Sequence, residues 1–568
     1  MVKQVNDNRE PASQPPSLLI AAHCSTIRRK AARIDAKELS AIFNDCVHEA
    51  YSNKFPLQTY LNSLNEIVTT LNSNFPPVLI EISSHSFFTL VCNTIRLLLR
   101  ELYTTNELNN QEIYILRNCT VLIHNVVKQI NDVSKILQWI TEETFLGALA
   151  NCLIHINKIS KATENQHIIK QITRLFNVLC NIQQRLPINL HQHLFVRLLQ
   201  ATIACLTSSN YVKLFSNLQA NAISFTEIQK LFLIKCPYFL TAYNGPSIEK
   251  AIENLLEIML PRYVSILDKH MKTIKEWQSP MMRAIHNLII TLVYAEGYLS
   301  SHIYNKSFQL LINHLLHLLN ESSLINKIHP NANNLETLLI DATLVVFSVL
   351  VYEPNGLNYI KQLKPIAIFR QLTTTSHETI VLNAYMMLVY VMDENDIETA
   401  VDNLSHLLST TLYLLGKAIE TRYHTNVHEN SKRETTDRNI MHLLETLKGL
   451  AQYEQIKNDV IKYRIVSHLM YYYEKVHGLS KQLLLECFWT LSFNERIAQQ
   501  LREYSLFILS LHHILQLTSD DSQQNAIRHS NSYCSRQNGT VIALIEGTNN
   551  GLRKVADGLL WKLINGIL

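Results

Sequence analysis

Glycine and proline are scarce in this chain of 568 residues, 12 and 14 in all, and charged residues make up only 17%. Average usage is about 7% Gly, about 5% Pro and about 25% charged. Only Gly147 falls before residue 245, and no Pro follows Pro365. Sheets built from many hairpins, and βα loops that wrap phosphates, place both residues at their turns. The scarcity excludes both architectures and predicts an all-helical chain. A single core stops growing at about 250–300 residues, so a helical chain this long is several domains or one stacked array.

An excess of one charge is also missing. Lys and Arg number 51 against 47 Asp and Glu, a net charge of +4 with a pI near 8.4. A dedicated nucleic-acid binder concentrates basic residues on one face, so no nucleic-acid partner is expected. The ten cysteines include no C-x-x-C pair and lie mostly in apolar stretches such as Leu116–Val127. That pattern is one of buried free thiols in a reducing compartment. The longest apolar runs, Ala284–Ala295 and Ala342–Tyr352, fall short of the roughly 20 residues of a membrane span. Lys3, Asp7, Arg9, Glu10 and three early prolines leave no room for a secretory leader. A cytoplasmic protein with no membrane partner is expected.

The usual catalytic signatures are absent: no G-x-x-x-x-G-K-[ST], no H-E-x-x-H, no G-x-S-x-G and no G-x-G-x-x-G after a strand. His191 with His193 and His512 with His513 have no carboxylate or thiolate set at ligand spacing, and His424 and His428, one helical turn apart, lie in a polar stretch. They are expected to be surface histidines. No catalytic residue, metal or cofactor is predicted, and the protein is not expected to be an enzyme.

What is present is helical periodicity. Residues 1–17 form a polar, proline-containing segment expected to be a disordered tail. Arg28-Arg29-Lys30, with Arg33, fits a solvated helix face. From there apolar residues recur at helical spacing almost throughout, for instance over Val78–Leu102 and Ile168–Leu186. Two polar stretches, 421–437 and 518–537, are expected to be long surface loops.

Four segments share a small or apolar first position followed four residues later by an aliphatic residue, starting at Ala342, Ala384, Leu443 and Cys487. Their starts lie 42, 59 and 44 residues apart, the long gap holding the polar 421–437 stretch, so the period is about 42. The segment from Cys119 has the same cadence. A unit of that size holds two or three helices and cannot bury its apolar face alone, so neighbours must stack. A small lead residue lets successive helices approach closely.

Glu486-Cys487-Phe488-Trp489-Thr490-Leu491-Ser492-Phe493 resembles the third helix of an armadillo repeat. The resemblance is clear from 335 to 510 and looser from 75 to 330. The chain therefore divides into a divergent helical-repeat region, 18–334, and a clearer armadillo-like region, 335–568. Gly551–Leu563 resembles the segment after the armadillo array in some invertebrate proteins that continue into a TIR domain, and no TIR domain is expected within this chain. The resemblance implies an all-α, right-handed α-α superhelix without a sheet, offering a concave groove to protein partners.

Importin-type peptide readers carry Trp and Asn four residues apart on successive third helices. Here the pairs are Trp489 with Phe493, Met386 with Tyr390, Leu344 with Ser348, Glu445 with Gly449 and Val121 with Asn125. The ladder is missing, which disfavours a nuclear-import receptor. Trp489, Phe493, Met386 and Tyr390 are the candidate partner-binding side chains. Tyr472 joins them, because Tyr471, Tyr472 and Tyr473 point about 100° apart and cannot all face one core. The resemblance implies a non-catalytic scaffold or regulator, in TIR-linked signalling. The alternative is nucleotide sensing, since armadillo regions of sterile-alpha-motif/TIR NAD hydrolases hold an inhibitory nucleotide, though none of those ligand residues can be matched here.

Overall fold

A computed structural model describes residues 18–51, 57–141, 145–159, 166–186, 195–243, 248–295, 298, 302–330, 334–351, 354–392, 401–424, 430–516 and 540–565. Among these residues there are helices and turns and no strand. The chain separates into two compact units, one ending at Tyr294 and the other beginning at Ala295. The second unit begins ahead of residue 335, where the clearer armadillo-like region is expected to start, because Lys306–Leu319 and Ser322–Ile325 both lie against Leu335–Val351.

The first unit opens with α1 (Leu18–Lys30), α2 (Ala36–Tyr51), α3 (Leu57–Asn74), α4 (Ser86–Thr105), α5 (Asn110–Gln129), α6 (Gly147–Ile159), α7 (Gln166–Arg185) and α8 (Val196–Leu206). Each helix packs against the next but one: α1 on α3 on α5 on α7, and α2 on α4 on α6 on α8. The result is two alternating layers of a two-helix repeat. The α4 sequence shows why: Phe88, Val91, Cys92, Ile95, Leu98, Leu99 and Leu102 recur every three or four residues and are all buried. At the start of α5, Asn109 and Glu112 satisfy each other's backbone N–H in a capping box.

Polar side chains bolt successive repeats together. The Cys152 thiol donates to the Leu99 carbonyl at 3.2 Å and Cys205 to the Leu153 carbonyl at 3.4 Å, 53 and 52 residues back. Asn118 donates to Asn65, also 53 residues back. The period of about 42 suggested by the Cys119 segment thus does not hold in this unit. Cadence within a helix is set by 3.6 residues per turn and is the same whatever the length of the connectors. One connector holds Trp139, fully buried, stacked on Phe88 at 5.3 Å and donating from Nε1 to the Ser83 carbonyl at 2.9 Å.

The unit continues through α9 (Ser209–Ser216), α10 (Cys236–Ala242), α11 (Ile248–Met271) and α12 (Ser279–Val293). A π-helical stretch, Lys230–Lys235, leads into α10. Pro237 explains it: proline has no N–H to offer the Leu233 carbonyl, and its ring would strike that oxygen in a regular α-helix. The wider turn accommodates both. Burial raises the thiol pKa of Cys119 and of Cys180 to about 12, and every described cysteine is buried and free.

The second unit comprises α13 (Lys306–Leu319), α14 (Ser322–Ile325), α15 (Leu335–Val351), α16 (Pro354–Gln362), α17 (Ile366–Thr373), α18 (Glu378–Val391), α19 (Val401–His424), α20 (Asn430–Leu450), α21 (Glu454–Lys462), α22 (Ile465–Lys475), α23 (Gly478–Leu491), α24 (Glu495–Glu503), α25 (Ser505–Gln516) and α26 (Thr540–Asn565). Here α15, α18, α20, α23 and α26 form one continuous layer, each packed on the next. Shorter pairs, α16 with α17, α21 with α22 and α24 with α25, lie between them in the chain. This is the three-helix unit of an armadillo-type solenoid. Ala342, Ala384, Leu443 and Cys487 are all buried within the layer, as their lead positions require. Asn383 donates to Asp341, 42 residues back, and the Cys487 thiol to the Leu444 carbonyl, 43 residues back, so the period of about 42 holds in this unit.

The stretch expected to be a loop at 421–437 is largely helical. Residues 421–424 close α19 and 430–437 open α20, and Arg422 pairs with Asp437 to tie the two helices. Polar residues at helix ends carry no apolar signal, which is why composition alone suggested a loop. The expected tail 1–17 and the expected loop 518–537 lie outside the described residues.

Two non-glycine residues adopt the left-handed conformation at equivalent corners, Lys364 (φ 50°) between α16 and α17 and Arg464 (φ 54°) between α21 and α22. Both are exposed. A Cβ in this region costs about 1–2 kcal/mol, part of which glycine forfeits through its looser unfolded chain. Lys364→Gly is expected to stabilise the unit by up to about 1 kcal/mol in urea titration, while Lys364→Ala leaves it unchanged. Equal midpoints for both variants would contradict the strain.

Candidate functional site

The layer formed by α18, α20, α23 and α26 carries a stripe of polar and aromatic side chains. On α23, Gln482, Glu486 and Trp489, followed by Phe493, recur at steps of three and four and so share one face. Cross-layer bonds continue the stripe in both directions. The Tyr390 hydroxyl on α18 donates to Glu445 Oε2 on α20 at 3.0 Å. Lys448 Nζ, one turn further along α20, lies 3.3 Å from Glu445 Oε2 and 2.8 Å from Glu486 Oε2 on α23. Gln482 donates to the other Glu486 oxygen at 3.0 Å.

Burial opposes the charge on Lys448, but the hydrogen bond it donates to Glu486 and the field of Glu445 outweigh it and raise its pKa. The lysine therefore stays an ammonium between two carboxylates. Three neighbouring helices of the layer are linked by one partly exposed charge network, with Glu445 at 18%, Glu486 at 20% and Lys448 at 32% side-chain exposure.

The fourth helix of the layer, α26, approaches through two glycines. A Cβ on Gly551 would lie 2.8 Å from the Gln482 amide, and one on Gly558 would lie 3.2 Å from the Trp489 ring. Lys562 places its ammonium 5.4 Å from the centre of the Phe493 ring, within cation–π range. Trp489 still exposes 38% of its surface and Phe493 63%.

The predicted partner-binding residues divide accordingly. Trp489, Phe493 and Tyr390 lie along the stripe. Met386 does not: it is fully buried in α18, so it cannot meet a partner. That helix is apolar nearly all round (ETIVLNAYMMLVYV), and spacing alone could not say which side faced out. Tyr472 is also largely committed inside the unit, donating from its hydroxyl to the Leu412 carbonyl at 3.3 Å, against Gly416. Of the three tyrosines Tyr471 is the exposed one and Tyr473 is buried. Glu445, Lys448, Gln482 and Glu486 were missed. The available signal was Glu486 itself, the single carboxylate in α23 (GLSKQLLLECFWTL).

Among the described residues no three His, Cys, Asp or Glu side chains converge as a metal site, and no single helix is long and apolar enough to cross a membrane. His191, His193 and His428 lie outside the described residues.

No family model matches the chain, and no curated protein matches it. Solved structures that resemble it include one from a study of a phosphorylation switch controlling the interaction between cadherin and beta-catenin, at TM-score 0.42 and 11% identity. That match covers 94% of this chain and 99% of the other. SYS-1 gives TM-score 0.38 at 12% identity, covering 95% of each chain. UNC-45 from Drosophila melanogaster gives TM-score 0.23 at 11% identity, covering 94% of this chain and 81% of that one. At such values the architecture rests on the helix packing described above.

Proposed function

We propose that the second unit is a non-catalytic protein-interaction module and that the chain serves as a scaffold or regulator. Its contact face is the stripe from Tyr390 through Glu445, Lys448 and Glu486 to Trp489 and Phe493. The observation that carries this reading is a charge network bridging three helices of one layer, beside two solvent-exposed aromatic rings. Exposed aromatics are the residues that anchor interfaces, and fixed charges beside them select the partner and its register. A groove along successive third helices is where such a partner would lie.

The test compares affinity purification with the intact chain and with the Trp489→Ala/Phe493→Ala variant. Partners that depend on this face are expected to bind the variant at least about 30-fold more weakly, the size of a hot-spot loss, while its thermal melt matches that of the parent. Undiminished binding by a correctly folded variant removes the stripe from the interface. A TIR-containing protein among the lost partners would support the TIR-linked context. Heat on titration with NAD would instead favour the nucleotide-sensing alternative.

A further inference from the structure

Charge is nearly even over the whole chain, but the first unit sorts it by layer. One layer runs through α5, α7, α10 with its π-helical lead-in, and α12, each packed on the next. Beyond α5 these elements hold six Lys or Arg and no Asp or Glu. On α5 the one carboxylate is Glu112, held in its capping box at the helix start.

Cations from three successive elements meet on the exposed side of this layer. Lys128 is exposed at the end of α5, and His124 lies one turn before it. Burial, then the fields of Lys128 and of Arg174 on α7, hold the His124 pKa below the usual histidine value. Arg174 is oriented by a hydrogen bond to Gln171 Oε1 at 3.2 Å. Asn177, on the same face of α7, accepts from Lys235 Nζ at 2.5 Å. Among the described residues Lys128, Arg174 and Lys235 pair with no carboxylate. The carboxylates on adjoining segments are engaged elsewhere. Glu66 of α3 faces Arg28 at 3.9 Å, Asp132 accepts from the Ser134 hydroxyl at 2.6 Å, and Glu227 pairs with Lys230 at 2.8 Å.

We infer that this face binds an extended acidic segment of another protein, laid across α5, α7 and the π-helical stretch with its carboxylates on Lys128, Arg174 and Lys235. Two of these cations are part-buried and already held by an amide. A carboxylate therefore gains a charge-assisted bond at little cost in side-chain ordering. Spacing sets the register. Neighbouring helix axes lie about 8–10 Å apart and an extended chain advances about 3.3 Å per residue, so every third residue reaches the next cation. Single-stranded nucleic acid binds through rings on which its bases stack. No exposed Tyr, Phe or Trp stands among these cations, and Tyr238, one turn beyond Lys235, is tied to Gln184. The site belongs to the first unit and stands or falls independently of the stripe on the second.

The experiment titrates the full chain into fluorescein-labelled peptides of roughly ten residues and reads anisotropy. One peptide has glutamate at every third position among serines, a second has the same glutamates in one block, and a third has lysine for each glutamate. The spaced acidic peptide is expected to bind at least about tenfold more tightly than the lysine peptide and about threefold more tightly than the block. Both margins should shrink as salt is raised. Lys128→Glu should weaken the spaced peptide about tenfold, and Lys128→Glu/Lys235→Glu should weaken it further. Arg100→Glu, an exposed site on α4 in the other layer, and Trp489→Ala should leave it unchanged. Thermal melts matching the parent show which variants fold, and the exposed Lys128 position tests the site without the double variant. Equal binding of the spaced peptide and either control peptide, or an unchanged affinity in folded Lys128→Glu, overturns the proposal. So does an oligodeoxythymidine strand that binds more tightly and displaces the peptide, because the occupant would then be nucleic acid.

Discussion

Trp139→Ala is expected to destabilise the first unit by about 3–5 kcal/mol, the range for removing a large aromatic from a packed interior. Three losses combine at this position. The side chain is fully buried, so truncation leaves a cavity that the flanking helices cannot close. Its ring stacks on Phe88 at 5.3 Å, and that contact disappears. Its indole N–H satisfies the Ser83 carbonyl, which is left buried without that donor. A unit of this size loses about 2–4 °C of Tm per kcal/mol, so the unfolding transition should fall by about 6–20 °C. Trp139→Phe retains the ring and forfeits chiefly the hydrogen bond, for a smaller loss of about 1–2 kcal/mol. The ordering Ala below Phe below parent is the expected result, measured by calorimetry. A variant with alanine that melts with the parent would mean that Trp139 is not packed between these repeats.

The second large effect lies between α18 and α20. Gly449 faces Val389 so closely that a Cβ added there would lie 2.2 Å from Val389 Cγ1. Valine cannot swing aside easily, because branching at Cβ confines χ1 and its surroundings are packed. Gly449→Ala should therefore cost about 1–3 kcal/mol by overpacking, even though alanine is the better helix former. Val389→Ala makes room. The double variant should recover most of the loss from Gly449→Ala, so the two changes couple strongly in a double-mutant cycle. Simple additivity of the two single effects would show that the helices do not meet at this point. Because Lys448 adjoins Gly449, the single variant should also shift the Glu445–Lys448–Glu486 network, whereas the double variant restores it.

The parts of this architecture that sequence made legible are those where one residue type answers one local demand. Ala342, Ala384, Leu443 and Cys487 marked the layer of the second unit because a buried seam between close helices tolerates little bulk at its tightest points. The first unit was recognisable as helical for the same reason, but its longer repeat was not. Periodicity records turns within a helix and holds no record of how many residues connect one helix to the next. The polar stretch 421–437 misled for a related reason, since polar residues at helix ends, such as Arg422 and Asp437, look like loop by composition. Met386 misled in the opposite direction, because an almost wholly apolar helix gives no clue to its outer side.

The stripe itself was half visible. Trp489 and Phe493 stood out by type and spacing at the end of one helix and in the turn after it. Their charged companions did not, because Tyr390 finds Glu445 across 55 residues and Lys448 finds Glu486 on a different helix. Pairings between helices depend on how the layers are set against one another, which no local pattern encodes.

The bolts made by Cys152, Cys205 and Cys487 have a practical consequence. Each sulfur is buried and turned inward onto a neighbouring carbonyl, so an alkylating reagent in the surrounding solution meets no nucleophile. Labelling has to wait until one repeat parts from the next. The order in which these positions acquire label then records the sequence in which the joints of the array come undone.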